Sequence, residues 1–234
     1  MNLVLLEPHE LDGSRARLEG RRAEHLALVH RAQKGRRLRV GVVGGRVGVA
    51  VVVEIDAAGA QLEVELHADP PQPLPCTLVL ALPRPKVLRR LLGAVAAFGI
   101  KRLVLIGAER VEKSYWQSPL LQPQALRDEL LLGLEQGCDT VLPQLTHKRL
   151  FRPFVEDELP ALAAGTLSLV AHPAARACCP RAVCGPVTLV VGPEGGFNPF
   201  EVALLETAGM RAVSLSARPL RVEQAVAALL GRLF

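Results

Sequence analysis

Thr188-Leu189-Val190-Val191-Gly192-Pro193-Glu194-Gly195-Gly196-Phe197-Asn198-Pro199-Phe200-Glu201 reads as a strand, a loop and the start of a helix in direct succession. Thr188–Val191 is a short apolar, β-branched run of the kind buried in a parallel sheet. Asn198 suits an N-cap, Pro199 the first helical position and Glu201 the acid of a capping box, so a helix begins there. Between them lie three glycines, which let a ligand come close to the backbone where side chains would block it. Open α/β folds bind ligands in such loops, at the carboxyl ends of their strands. The same residues also suit an ordinary strand-to-helix turn. The spacing matches neither G-x-G-x-x-G nor G-x-x-x-x-G-K-S/T, which disfavours dinucleotide and P-loop readings.

Outward from this stretch, strands and helices alternate. Thr77–Leu82, Leu103–Ile106, Leu167–Ala171 and Ala212–Leu215 read as further strands. Helices are expected after Pro85, where Leu88, Leu91, Leu92, Val95 and Phe98 recur at helical spacing, and over Gln124–Gln136, Phe154–Ala163, Pro199–Thr207 and Val222–Leu233. This alternation predicts an α/β domain with a mostly parallel sheet covered by helices over residues 76–234. Residues 1–68 differ. Arg37–Val43 and Arg46–Ile55 are strand-like and joined by Gly44-Gly45, Gln61–Leu66 is a third strand, and Ala23–Arg31 forms a short helix with Leu26 and Val29 inward. Together they predict a small β-barrel. Residues 69–75, with Pro70, Pro71, Pro73 and Pro75, are expected to be a stiff linker.

Composition narrows the function. Half the residues are hydrophobic and 22% are charged, as in a globular protein. No apolar run reaches membrane-span length, and Met1–Glu7 lacks the basic and apolar regions of a signal peptide, so a cytoplasmic protein is expected. Five cysteines without a C-x-x-C pair predict reduced thiols and no metal site. Arg15 to Arg46 holds ten cationic residues against Glu19 and Glu24, and Arg84, Lys86, Arg89 and Arg90 form a second basic cluster. Such patches attract polyanions, which makes Arg31, Arg36, Arg37, Arg84 and Lys86 candidate RNA contacts. A merely solvated basic face is the alternative. With one Trp, one Tyr and six Phe there is little material for base-stacking platforms, so binding of single strands by aromatic stacking is not expected.

Leu215-Ser216-Ala217-Arg218-Pro219-Leu220-Arg221-Val222-Glu223-Gln224-Ala225 is the second notable segment. It precedes a final helix that carries no charge between Glu223 and Arg232, so that helix should be buried. Arg221 and Glu223 stand at its mouth, where they either pair with each other or serve a site. GPEGGF followed by L-x-x-R-x-L-R-x-E-x-A resembles the ribosomal RNA small-subunit methyltransferase E family of the SPOUT superfamily. His25, Leu26, Val29, Arg31 and Gly35 resemble that family's N-terminal signature, and Glu135-Gln136 with Leu142-Pro143 its EQ…LP segment.

The resemblance implies a PUA-like barrel, a trefoil-knotted methyltransferase domain, a homodimer and N3-methylation of a uridine in 16S rRNA with S-adenosylmethionine. It implies that Gly192, Glu194, Gly195 and Gly196 line the cofactor pocket, with His172 and with Leu215, Ser216, Leu220, Arg221 and Ala225 on other walls. The chain departs from the family pattern at Ser216, Pro219, Val222 and Gln224, and Asp139 stands where an arginine is usual.

Uridine N3 is a weak nucleophile until its proton leaves. The expected catalytic pair is Arg221, stabilising charge on the uracil, with Glu223 holding Arg221 or assisting proton removal. The final helix, apolar at Val226, Leu229, Leu230, Leu233 and Phe234, adds to the expectation of a homodimer. The competing reading is a catalytically inactive RNA-binding or ribosome-assembly protein on the same fold.

Overall fold

The computed structural model describes residues 2–28, 31–56, 59–216 and 218–234. Val29, expected beside Leu26, lies outside them, as do the side chain of His25 and Ala217 of the second segment. The chain divides into two compact units. One comprises Met1–Gln72, Ala96–Gly99 and Leu130–Leu142; the other comprises Pro73–Val95, Ile100–Glu129 and Pro143–Phe234.

The first unit is built on a six-stranded, mainly antiparallel sheet. Its elements are β1 (Val4–Leu6), β2 (Leu11–Asp12), β3 (Arg15–Leu18), α1 (Gly20–Leu28), β4 (Arg37–Val42), β5 (Val47–Asp56) and β6 (Gly59–Ala68). The order is β1-β4-β5-β6-β3-β2, with only β1 and β4 parallel. Alternation along β6 points Ala60, Leu62 and Val64 inward to join Leu18, Leu26, Val40, Ala50 and Val52 in one core. The Gly44-Gly45 hairpin is present, and Gly44 takes the positive φ of 75° that the tight turn requires. Helix α1 begins earlier than predicted, at Gly20, and Arg31 lies outside it with a φ of +46°.

The turn after Glu135 gives Asp139 a structural role. Asp139 is buried at 3% exposure, and its Oδ1 accepts hydrogen bonds from the backbone N–H of Thr140 (2.7 Å) and Val141 (3.0 Å). A carboxylate used this way shapes the backbone of the turn rather than facing a polyanion. Glu135, of the EQ pair, is buried too, and its carbonyl accepts from Leu3 N–H at 3.0 Å.

The second unit follows the strand–helix alternation. It contains β7 (Leu74–Ala81), α2 (Pro85–Ala97), β8 (Ile100–Ile106), α3 (Pro123–Gly137), β9 (Gln144–Lys148), α4 (Phe151–Pro153), α5 (Leu159–Ala163), β10 (Leu167–Ala171), β11 (Val187–Val191), α6 (Pro199–Thr207), β12 (Arg211–Val213) and α7 (Val222–Leu233), the ends of α2 and α3 falling in the first unit. Its six strands are all parallel, in the order β12-β10-β11-β7-β8-β9. The parallel α/β architecture read from the sequence is therefore correct. Central strands β7 and β11 are almost wholly buried, as a sheet covered on both faces requires. The proline-rich stretch ends sooner than expected. β7 begins at Leu74 and contains Pro75, tolerated because the pairing with β8 slips between Leu74 and Thr77 and so asks no ladder bond of it.

Candidate active site

Strand β11 delivers its carboxyl end, Val191, into Gly192–Phe197, and α6 begins directly afterwards. The capping box is formed: Asn198 Oδ1 accepts from Glu201 N–H and Glu201 Oε2 accepts from Asn198 N–H, both at 2.8 Å. Glu201 is 3% exposed, and its other oxygen accepts from the N–H of Glu109 at 2.7 Å. One carboxylate thus ties the glycine loop to the segment that follows β8. Glu194 makes a second tie, its Oε1 accepting from Arg84 N–H at 2.9 Å. Arg110 makes a third by donating to the carbonyl of Gly195. Gly196 has a φ of +70°, and a Cβ at Gly195 would sit 3.0 Å from the Arg110 side chain. Position 196 therefore needs glycine, and a side chain at Gly195 would press on Arg110.

Beneath this loop is a cavity of about 360 Å³. It is lined from the glycine loop by Gly192, Glu194, Gly195 and Gly196, and from the strand ends by His172 after β10 and Val213 in β12. Its far wall carries Leu215, Ser216, Leu220 and Ala225. Two stretches distant in sequence thus face one space. His172 Nδ1 accepts from Ala174 N–H at 3.3 Å, which orients the ring within its own turn. Ser216 closes a turn on itself, its Oγ donating to Arg218 O at 2.7 Å and accepting from Arg218 N–H at 3.2 Å.

Arg221 and Glu223 are adjacent to the cavity rather than in its lining, which takes Leu220, Val222 and Ala225 from that stretch. Arg221 is the exposed N-cap of α7, its N–H donating to Gln224 Oε1 at 3.3 Å. Glu223 pairs with Arg90 Nη1 at 3.6 Å, a partner that sequence reading missed. Among the described residues the guanidinium of Arg221 forms no ion pair, so the expected Arg221–Glu223 pair is not made. Sequence reading also missed Arg110, which lines the cavity, although it lies 85 residues from the glycine whose carbonyl it holds.

Arg31, Arg36 and Arg37 are exposed in the first unit, and Arg84 and Lys86 are exposed in the second. Arg84 is part of a network. A hydrogen bond to Tyr115, with the charge of Glu194 beyond it, raises the pKa of its guanidinium. Burial, then its hydrogen bond to Glu112, raises that of the Tyr115 phenol.

Helix α7 corrects another expectation. Val226, Leu229, Leu230 and Leu233 are buried within the chain itself, while Gln224, Ala227, Ala228 and Gly231 form its exposed face. These four residues are therefore satisfied without a second copy, while Phe234 stays 37% exposed, and a charge placed at Leu229 would report on folding. No helix among the described residues is long and apolar enough to cross a membrane. No group of three or more potential metal ligands occurs among them either.

A family model described as an RNA methyltransferase domain matches residues 70–233. The chain is 31% identical to a ribosomal RNA small subunit methyltransferase E of Treponema pallidum, over 97% of this chain and 88% of the relative. It is 22% identical to ribosomal RNA small subunit methyltransferase E 1 of Borreliella burgdorferi, over 97% of this chain and 95% of that one. Among solved structures, a ribosomal RNA small subunit methyltransferase E from Neisseria gonorrhoeae bound to S-adenosyl methionine has the same fold. Its TM-score is 0.74 at 22% identity, with 98% of this chain and 95% of that chain covered. The protein belongs to the ribosomal RNA small-subunit methyltransferase E family.

Proposed function

We propose that this chain is a cytoplasmic, S-adenosylmethionine-dependent methyltransferase that modifies N3 of a uridine in 16S rRNA. The observation that carries the reading is the single cavity walled by both the glycine loop and the Leu215–Ala225 segment. Its volume of about 360 Å³ suits a small cofactor. Apolar Leu215, Leu220, Phe197 and Leu229 offer faces for an adenine ring, and Gly195 and Gly196 give close backbone approach. When bound, the cofactor supplies an electrophilic methyl group on a sulfonium. The cofactor-binding set in this proposal is His172, Gly192, Glu194, Gly195, Gly196, Leu215, Ser216, Leu220 and Ala225 in the lining, with Arg221 adjacent to it.

The chain's own contribution is position and charge. A nucleophile must lie in line with the methyl carbon, so rigid walls account for much of the rate. The three ties on the glycine loop supply that rigidity. Arg221, with no ion pair of its own among the described residues, is free to stabilise charge developing on the uracil as N3 loses its proton. Glu223 serves beside it, either taking that proton or, through its pair with Arg90, fixing the start of α7.

The proposal extends to organisation. Residues 1–68 act as a PUA-like RNA-binding barrel, 69–75 as the connection and 76–234 as the methyltransferase domain, with Arg31, Arg36, Arg37, Arg84 and Lys86 contacting phosphates. A trefoil knot is supported by the way the C-terminal strand and helix engage the long connection between β10 and β11. Ser214 exchanges backbone hydrogen bonds with Ala177 and Cys179, and Ala182 and Val183 N–H groups donate to carbonyls of Arg232 and Leu233. A homodimer is supported by the small-residue exposed face of α7, which allows close approach of another helix. Titration calorimetry with S-adenosylmethionine tests the pocket: saturable binding by wild type, weakened by G196A, is expected. No binding by the wild type would refute the cofactor assignment.

A further inference from the structure

A second cleft, of about 750 Å³, opens in the same unit where α6 begins after the glycine loop, and the proposed reaction does not use it. Its most distinctive wall is Trp116, whose indole is half-buried. The Arg149 guanidinium carbon stands 5.6 Å from the ring centroid, and the His147 ring meets it edge-on at 6.2 Å. Phe200 and Leu150 line the cleft and remain 60% and 69% exposed, an apolar surface the fold leaves uncovered. Lys113 and Arg149 bring positive charge to it, and neither forms an ion pair among the described residues. Arg152 adds a third cation, paired with Glu156 at 2.8 Å. Of the two acids in the lining, Glu201 is buried and spent on the N–H groups of Asn198 and Glu109, which leaves Glu109 alone at the rim.

The two cavities share a wall. Phe151 of the second cleft packs on Phe197 at 5.7 Å, and Phe197 lines the cofactor cavity. A π-helical turn, Phe154–Glu158, follows at once, its extra residue marked by Leu159 N–H donating to Phe154 O. Such bulges are frequent beside functional sites. An exposed aromatic surface with unpaired cations is how proteins hold single-stranded nucleic acid: bases stack on rings while phosphates meet the charge. A buried contact between protein copies would instead deplete lysine at its centre. We propose that this cleft binds a nucleotide of the single-stranded RNA adjoining the target uridine, its base stacked on Trp116 and its phosphate held by Arg149 and Lys113. The inference rests on the methyltransferase reading, which places an RNA strand beside the cofactor cavity.

Trp116 is the sole tryptophan, so the indole emission of the full chain reports this cleft alone. Titration with poly(U) should quench that emission saturably, whereas inorganic polyphosphate, a polyanion without bases, should leave it nearly unchanged. W116A should raise the KM for rRNA by about tenfold, as expected for loss of one stacking partner, with W116F largely restoring it. R149A, on an exposed residue, should weaken poly(U) binding without disturbing the fold and lower the salt dependence by about one phosphate contact. Unchanged emission with poly(U) while rRNA is still methylated overturns the cleft and leaves the enzymatic reading intact. Equal quenching by polyphosphate overturns base stacking. An emission change on dilution without RNA, tracking dissociation by sedimentation, would make the cleft an interface between copies and overturn the proposal. Quenching by poly(U) in a protein that neither binds S-adenosylmethionine nor methylates rRNA supports the cleft and overturns the enzymatic reading.

Discussion

Removing the carboxylate of Glu201 should loosen the glycine loop from both of its supports at once. In E201A the N–H groups of Asn198 and Glu109 lose their acceptors, which now stand at 2.8 and 2.7 Å. Each charge-assisted hydrogen bond contributes about 1.5–3 kcal/mol, but Glu109 is exposed and water can replace its partner, so the full sum is not reached. The expected loss is about 2–4 kcal/mol. E201Q keeps one acceptor oxygen and turns an N–H₂ donor toward the other N–H, so about 1–2 kcal/mol should go. For a chain of this size E201A should lower the melting temperature by roughly 4–16 °C. Scanning calorimetry measures that shift, and titration with S-adenosylmethionine measures whether affinity falls with it, as the loop's rigidity requires. Wild-type stability in E201A, or a stability loss with cofactor affinity untouched, would refute the claim that this carboxylate holds the cofactor loop in place.

Three further outcomes are expected. Replacing Arg31, Arg36 and Arg37 together with alanine should weaken RNA binding and reduce the slope of log K against log salt by about 2, leaving cofactor affinity unchanged; filter binding across a salt series checks it. R221A should lower the rate of methyl transfer by on the order of 10²-fold, with R221K recovering part, as measured by single-turnover kinetics. Burial pushes the Cys76 thiol up to about 12 and also raises that of Cys179, whereas Cys178 and Cys184 are exposed. At pH 8 the folded protein should therefore react quickly with a thiol reagent at Cys178 and Cys184, and at Cys76 and Cys179 only after denaturation.

What could be read from the sequence followed from where local signals were strong. Helices α6 and α7 begin and end where caps, proline and apolar spacing put them, because those signals lie within the elements themselves. Strands β1, β2 and β3 span two to four residues, too short for a periodic pattern, and were missed. β9 was missed because it is a polar strand at the edge of its sheet, with alternation too weak to register. Pro75 misled because only the slipped register of its neighbour makes it acceptable in a central strand. At the site, the glycine loop and the Leu215–Ala225 segment were legible as separate motifs, but nothing local says that they face one cavity. The partners Arg110 to Gly195, Arg90 to Glu223 and Glu109 to Glu201 are separated by 85 to 133 residues and are fixed by the sheet order alone. Asp139 departs from the family pattern, and its role became legible only in the structure: burial and two backbone hydrogen bonds make it a turn residue.

The proposed transfer of a methyl group to uridine N3 in small-subunit rRNA is open to a direct assay. The direct measurement incubates the full-length protein with radiolabelled S-adenosylmethionine and small subunits from cells lacking the corresponding activity, then digests the 16S rRNA to nucleosides and identifies the labelled one by chromatography and mass spectrometry. Label should appear in N3-methyluridine, formed on the order of 10²-fold more slowly by R221A and reduced in G196A. Label in a different nucleoside, or none from a protein that binds both the cofactor and the RNA, would contradict the proposal.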